Sequence, residues 1–552
     1  MWLKPGIPFG PKTKFNTKRA GTFLVLAVWL FVSLACARTA QSENDYAATA
    51  LAQLLTAAVT PTVPGVETGS NIEQIPLPVQ VTNTPIQPAD PPDPQSSPTP
   101  SGAGAPDPNP APVLLYNTQA GDTLKALAAR FAVTPAEITS PSPIPAEGLF
   151  SPKQLLVIPN RLAETTPSIQ LLPDSEIVFS PSAVNFDIGA FVLQSGGYLS
   201  TYREELSTGF LTGAQVIQRV AIENSVNPRV LLALLEYQSH WVYGQPNNLA
   251  QTDYPLGHTD YHSKGLYKQL SWAVQHLSIG YYGWRAGLIT EISFKGAPQG
   301  SAARLAPTLN AGTVALQVLF AQLYNDSQWG GALYSPNSFP ELYERMFDNP
   351  WTRAQLVEPL YPPNLIQPKL ELPFAVGKTW SLTGGPHSAW GPDGALAAID
   401  FAPASSEHGC VVSTDWVRAS ASGLVVRSEN GVVTLDLDGD GYEQTGWVLL
   451  YLHISRDARV APGTWVDTND QLGHPSCEGG VSTGTHTHMA RKFNGEWILA
   501  DGPIPFNLSG WVAHNGDKPY LGSLTRGDQT VTASQYGSFE SRITRTQEVT
   551  EE

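Results

Sequence analysis

The sequence predicts a multidomain protein: a small α/β unit, a mainly α middle domain and an all-β C-terminal domain. Three observations carry this. The chain has 552 residues, more than one ordinary domain holds. Hydrophobic residues make up 42% of it, with 14 Trp, 19 Tyr and 19 Phe, so cores can form and a wholly disordered chain is excluded. The pattern then changes along the chain, from helical spacing over 185–360 to short β-branched and aromatic runs between Gly, Pro, Asn and Asp turns over 373–545. The net charge of −16 argues against a nucleic-acid partner, which asks for a basic face. Three cysteines exclude a Cys₄ zinc cluster.

The first segment sets the compartment. Lys4, Lys12, Lys14, Lys18 and Arg19 precede an uncharged apolar run over 21–35. This reads as a signal peptide, 1–35, and the chain as exported to the bacterial cell surface. As a helix the run spans ~22 Å, short for a ~30 Å bilayer core, although an uncleaved anchor is the other reading. Ser33-Leu34-Ala35-Cys36 resembles a bacterial lipobox, with Ser33 where Leu is usual. That resemblance implies a lipidated Cys36 and a membrane anchor; ordinary secretion is the alternative. Losing 1–35 removes five positive charges and no negative one, taking −16 to −21. Cys410 and Cys477 then remain, and two cysteines in one exported domain usually pair.

Residues 36–112 form a Pro-rich tether: 61–110 hold 14 Pro, no Lys or Arg and no aromatic residue. Residues 113–160 read as strand, helix, helix, strand. Asp122 or Thr123 can cap a helix whose Leu124, Leu127, Ala128 and Phe131 share one face. A second helix starts near Val133-Thr134-Pro135, and Pro in 139–150 shortens it. Tyr116, Gly121-Asp122-Thr123-Leu124, Phe131 and Ile158-Pro159 make this unit resemble a LysM module, which implies binding to glycan such as peptidoglycan. A purely structural spacer is the alternative.

In 185–360, amphipathic runs cover 214–223, 230–241 and 312–324. The stretch from Pro228 to Ser239 resembles the lysozyme-like helix of lytic transglycosylases. Gln238 stands where that family has its acid, and an amide cannot donate that proton. Glu236 lies ~200° around the helix from Gln238. The domain therefore reads as non-catalytic. His258 and His262 read as surface-loop residues, as do His408, His474 and His514.

The C-terminal domain carries the chemistry. His486-Thr487-His488 lies on a strand, so both imidazoles share one face and Thr487 faces away. His453 ends the strand run Leu449-Leu450-Tyr451-Leu452. Asp400 is a carboxylate inside the apolar run Ala398-Ile399-Asp400-Phe401, where it wants a cation. Three His/Asp ligands with an open fourth position describe a catalytic zinc site. Gly384-Gly385-Pro386-His387, Ala398-Ile399-Asp400-Phe401, Tyr451-Leu452-His453 and Ser482-Thr483-Gly484-Thr485-His486-Thr487-His488 together resemble the lysostaphin-type (LytM, LasA, β-lytic) zinc endopeptidases of bacterial cell walls. The usual first ligand position is Leu396 here. The β-lytic and LasA branch has its His in an upstream Gly-Gly-x-His turn, which His387 fits. The resemblance implies that His387, Asp400 and His488 bind Zn²⁺, that His453 and His486 are catalytic, and that the substrate is the peptide cross-link of peptidoglycan. Thr487 replaces the usual Leu of the last motif.

Asp436-Leu437-Asp438-Gly439-Asp440-Gly441 resembles the start of a calcium loop, but Trp447 stands at its twelfth position. A hairpin turn is the competing reading, so Asp436, Asp438 and Asp440 are candidate Ca²⁺ ligands or turn residues. The reading as a whole is a zinc metallopeptidase targeted to the wall. The alternative is a non-catalytic wall-binding regulator that activates an amidase.

Overall fold

A computed structural model describes residues 112–298, 300–405 and 409–547. The signal segment, Cys36, the Pro-rich stretch up to 111 and His408 lie outside the described residues. Among the described residues no helix is long and apolar enough to cross a membrane.

The first unit pairs strand β1 (Val113–Asn117) antiparallel with β2 (Leu155–Pro159), with helix α1 (Leu124–Phe131) between them. Thr123 is the cap, accepting the Ala126 N–H. Asp122 does not cap. It is buried and accepts from the Tyr116 hydroxyl at 2.7 Å and Arg130 at 2.6 Å. The second helix is a single 3₁₀ turn, Pro135–Glu137, closed by a Thr134–Glu137 capping box. The motif face of this unit packs inward on the helical domain. Arg130 also donates to the Trp284 carbonyl at 2.9 Å, and a Cβ on Gly121 would run into the Arg285 guanidinium.

The helical domain contains α2 (Ile188–Ser195), the hairpin β3 (Arg203–Leu206) and β4 (Gly209–Thr212), then α3 (Gly213–Asn224), α4 (Pro228–Ser239), α5 (Leu266–Arg285) and α6 (Ala311–Leu323). The amphipathic runs read from the sequence fall on α3, α4 and α6 within two residues. Val216, Ile217 and Val220 of α3 meet Val230, Leu231, Leu234 and Leu235 of α4 in one core. Arg285 ties the units together. It holds Glu496 of the β domain at 2.9 Å, Asp174 at 3.0 Å and the Ala120 carbonyl of the first unit. A buried arginine needs such partners, and their fixed directions set how the units dock.

The β domain is built on an antiparallel sheet. Its strands are β5 (Thr379–His387), β6 (Ala398–Pro403), β7 (Gly423–Glu429), β8 (Val432–Asp436), β9 (Trp447–Leu452) and β10 (Thr487–Phe493), in the order β7–β8–β9–β10–β6–β5. Short strands Trp465–Val466 and Arg542–Thr544 pair at its two ends. A second, four-stranded sheet runs from Asn507–Leu508 to Gln529–Thr532. Alternation assigns the two faces of the main sheet. Ile399, Phe401, Leu449, Tyr451 and Met489 pack with Trp511, Ala513 and Leu524 of the second sheet. Ala398, Leu450, Leu452 and Ala490 point the other way, into the core of the helical domain. Asp400 and His488 lie on that second face, where the helical cover stops.

Candidate metal centre and active-site groove

Strand register brings the site together. Leu452, His488, Asp400 and Gly384 form one row across β9, β10, β6 and β5. The next row is Leu450, Ala490, Ala398 and His387. His387 therefore stands beside Asp400 and His488 on one face. Plain alternation from Gly384 would bring residue 386 there; the register shift between Gly384 and His387 brings 387 instead, and another shift precedes it between Leu382 and Gly384. The Gly-Gly-Pro segment is thus a bulged strand and not the turn expected from the sequence. Gly384 is required by its row: a Cβ would sit 2.5 Å from Asp400 Oδ2. Gly385 meets the Leu521 carbonyl in the same way.

His387, Asp400 and His488 are buried, and each offers a ligand atom within 4.8 Å of the others. His387 Nε2 is 2.9 Å from His488 Nδ1 and 3.3 Å from Asp400 Oδ1; His488 Nδ1 is 3.2 Å from the same oxygen. The outward nitrogens fix the tautomers. His387 Nδ1 faces the Gly385 carbonyl at 2.8 Å, and His488 Nε2 faces the Ala389 carbonyl at 3.0 Å. A carbonyl only accepts, so these nitrogens carry the protons. In the neutral tautomers the inward nitrogens turn lone pairs toward each other and Asp400, and Asp400 Oδ1 has no hydrogen-bond partner among the described residues. Such a set fits a metal cation. The electrostatics agree. Burial pulls the His387 pKa down, but Asp400 beside it outweighs this and lifts it above the usual histidine value. Burial pushes the Asp400 carboxyl up, but His387, His488 and His486 hold it well below the usual range.

His453 and His486 flank this cluster, with ring centroids 4.5 Å apart. His486 Nδ1 donates to the Gly484 carbonyl at 2.8 Å, leaving Nε2 3.8 Å from Asp400 Oδ2. His453 Nδ1 donates to the Glu478 carbonyl at 2.9 Å. Burial, then His486 and His488, push the His453 pKa down to about 3, so this imidazole is neutral. It sits at φ 67°, a strained region for a non-glycine residue, and Ser476 holds its carbonyl with both N–H and hydroxyl. Cys410 and Cys477 are disulfide-bonded, with Cα atoms 5.4 Å apart. The bridge fixes the loop at Gly409, whose carbonyl accepts from Thr485, next to His486.

All five residues read from the sequence thus line one groove, together with Tyr520 and the helical residues Arg219, Glu223 and Tyr267. Tyr520 stacks on His387 with centroids 4.1 Å apart, and no local motif marks it. Glu478 was equally hidden, since it acts through its carbonyl. Elsewhere, Asp436, Asp438 and Asp440 also gather within 4.8 Å, in the turn joining β8 and β9. Glu236 is spent on the Val242 and Tyr243 N–H groups, and Gln238 accepts from the Tyr324 hydroxyl. His258 stacks on Trp272, His262 is exposed, His474 packs on Trp416 and His514 bonds Thr525.

Residues 170–363 match the family model described as LasA, N-terminal domain. Protease LasA of Pseudomonas aeruginosa (strain UCBPP-PA14) is 27% identical over 367 residues, covering 61% of this chain and 77% of LasA. The chain is similar to LasA-type peptidases. The β-lytic metalloendopeptidase of Achromobacter lyticus is 28% identical over 150 residues, 26% of this chain and 37% of that protein. Among solved structures, the M23 metalloprotease pseudoalterin is 23% identical, with 30% of this chain and 96% of that one covered and a TM-score of 0.26. The family-model match falls on the helical domain, so that domain shares in the likeness to LasA.

Proposed function

We propose that this chain is an exported zinc metalloendopeptidase that hydrolyses peptide cross-links of bacterial peptidoglycan. In this reading the 113–160 unit engages glycan, and Cys36 carries a lipid anchor. One observation carries it: one nitrogen of His387, one of His488 and an otherwise unpartnered oxygen of Asp400 converge at the floor of a groove, with both rings held from behind by backbone carbonyls. Bound Zn²⁺ would supply Lewis acidity toward a peptide carbonyl and lower the pKa of water. The chain's own residues do the rest. The Gly385 and Ala389 carbonyls orient two ligand rings, and Asp400 supplies the negative charge. Neutral His453 keeps its Nε2 lone pair, so it accepts a hydrogen bond there and orients the donor, while the Glu478 carbonyl holds the other nitrogen. His486, oriented by Gly484, lies beside His453 and, once protonated at Nε2, donates to a developing oxyanion. A degenerate regulator would lack a ligand, and this chain keeps all three. Zinc stoichiometry by elemental analysis, with mass spectrometry of digested peptidoglycan, tests the proposal. Stoichiometric zinc and new peptide termini are expected; a metal-free protein that leaves walls intact would overturn it.

A further inference from the structure

The groove does not end at the histidines. It runs back along β5, where Thr379, Ser381 and Thr383 line it while Leu382 turns into the core. Ala402 of β6, opposite Ser381, continues the same floor. Thr383 Oγ1 is buried there with no hydrogen-bond partner among the described residues. The floor is therefore small and rich in hydroxyls. One wall is the segment following Gln529–Thr532, in which Tyr536 and Phe539 line the groove although they are 90% and 79% exposed. Gly537 between them lets this segment close on the floor, because a Cβ would lie 3.3 Å from Ser381 Oγ. Two large rings left in water on a groove wall mark a place where something else covers them.

We propose that Tyr536 and Phe539 form a saccharide subsite that takes a sugar ring of the substrate's glycan while its peptide lies across the metal cluster. The apolar face of a hexose stacks on an aromatic ring, and its hydroxyls find partners in Ser381 and in Thr379, which also bonds Thr544. The occupant follows from continuity: this surface and the His387–Asp400–His488 cluster are parts of one groove, so one molecule spans both. The inference rests on the peptidoglycan reading above.

The test uses the full chain and two substrates: intact peptidoglycan, and the sugar-free cross-linked peptides released from it by an amidase. In the Tyr536→Ala/Phe539→Ala variant, KM on intact peptidoglycan should rise about tenfold with kcat retained, and cleavage of the free peptides should be unchanged. Tyr536→Trp/Phe539→Trp should restore the wild-type KM. Equal loss on both substrates, or no change on the intact polymer, would overturn the subsite while leaving the peptidase reading standing. A wild-type chain that cleaves neither substrate would remove both.

Discussion

The β domain gathers three metal-capable side chains in two places, and the two differ in where their protons are. In the β8–β9 turn, Asp436 accepts from the Asp438 and Gly441 N–H groups, Asp440 accepts from Tyr442 N–H and the Thr445 hydroxyl, and Asp438 accepts from Asp440 N–H. Those carboxylates are occupied by their own turn, as Asx chemistry would have it. At His387, Asp400 and His488, the outward ring nitrogens donate to backbone carbonyls, the inward ones face each other, and Asp400 Oδ1 holds no donor among the described residues. Equal proximity therefore does not mean equal readiness for a cation. Acceptors already holding donors make a turn; acceptors that converge bare make a ligand set.

Substitutions can break this contrast, the largest effect first. His387→Ala should abolish peptidase activity and lower bound metal to well under one equivalent, with the far-ultraviolet circular dichroism retained; full metal content and activity in that variant would refute the ligand assignment. His486→Ala should keep the metal and lose about 10²–10⁴-fold in kcat, measured beside the metal content of the same sample. A third change tests the buried carboxylate that neighbours the acidic turn. Glu443 lies between Arg427 at 2.6 Å and Lys492 at 3.0 Å. Burial pushes its pKa up, but the two cations outweigh that and hold it at about 2. Because the folded value is depressed, its contribution is present above about pH 4.5 and is lost as pH falls toward about 2. Glu443→Gln strands two buried cations and should cost about 3–5 kcal/mol at pH 7, while flattening this part of the acid limb in urea titrations.

Replacing Cys410 and Cys477 with Ser should cost about 2–4 kcal/mol and lower kcat by loosening the loop at His486, with metal retained. Unchanged melting and kinetics would show that the loop is held without the bridge. The smallest effect belongs to Asp438→Asn. Its oxygen still accepts from Asp440, so stability should move by under about 0.5 kcal/mol and activity should stay put. A large calcium-dependent change in melting temperature that this variant abolishes would reverse the contrast.

Legibility varied with how local each signal is. The His486–His488 pair, the strand ending at His453 and the carboxylate in the β6 run were all visible, because period-two alternation is a property of the chain itself. The helices α3, α4 and α6 were visible for the same reason at their own period. Of the two cap candidates Thr123 caps α1 and Asp122 does not, because Tyr116 of β1 and Arg130, two turns along α1, take its carboxylate. The β5 segment was misread as a turn because a bulge depends on pairing with β6. Tyr520 and Glu478 carried no sequence signal.

Residue chemistry and spacing singled out Asp400, His453, His486 and His488 and the all-β domain that bears them, while His387 came from the resemblance to the β-lytic and LasA branch. The tertiary structure decided what makes them a site. Register across β9, β10, β6 and β5 set His488, Asp400 and His387 in adjoining rows, a register shift in β5 brought His387 opposite Ala398, and backbone carbonyls hold the outward nitrogens of all four histidines. It also decided that the helical domain covers one part of that face and borders the groove on the rest. The reason is physical: alternation and propensity act between neighbours in the chain, whereas hydrogen-bond direction and burial depend on partners that only folding brings within reach.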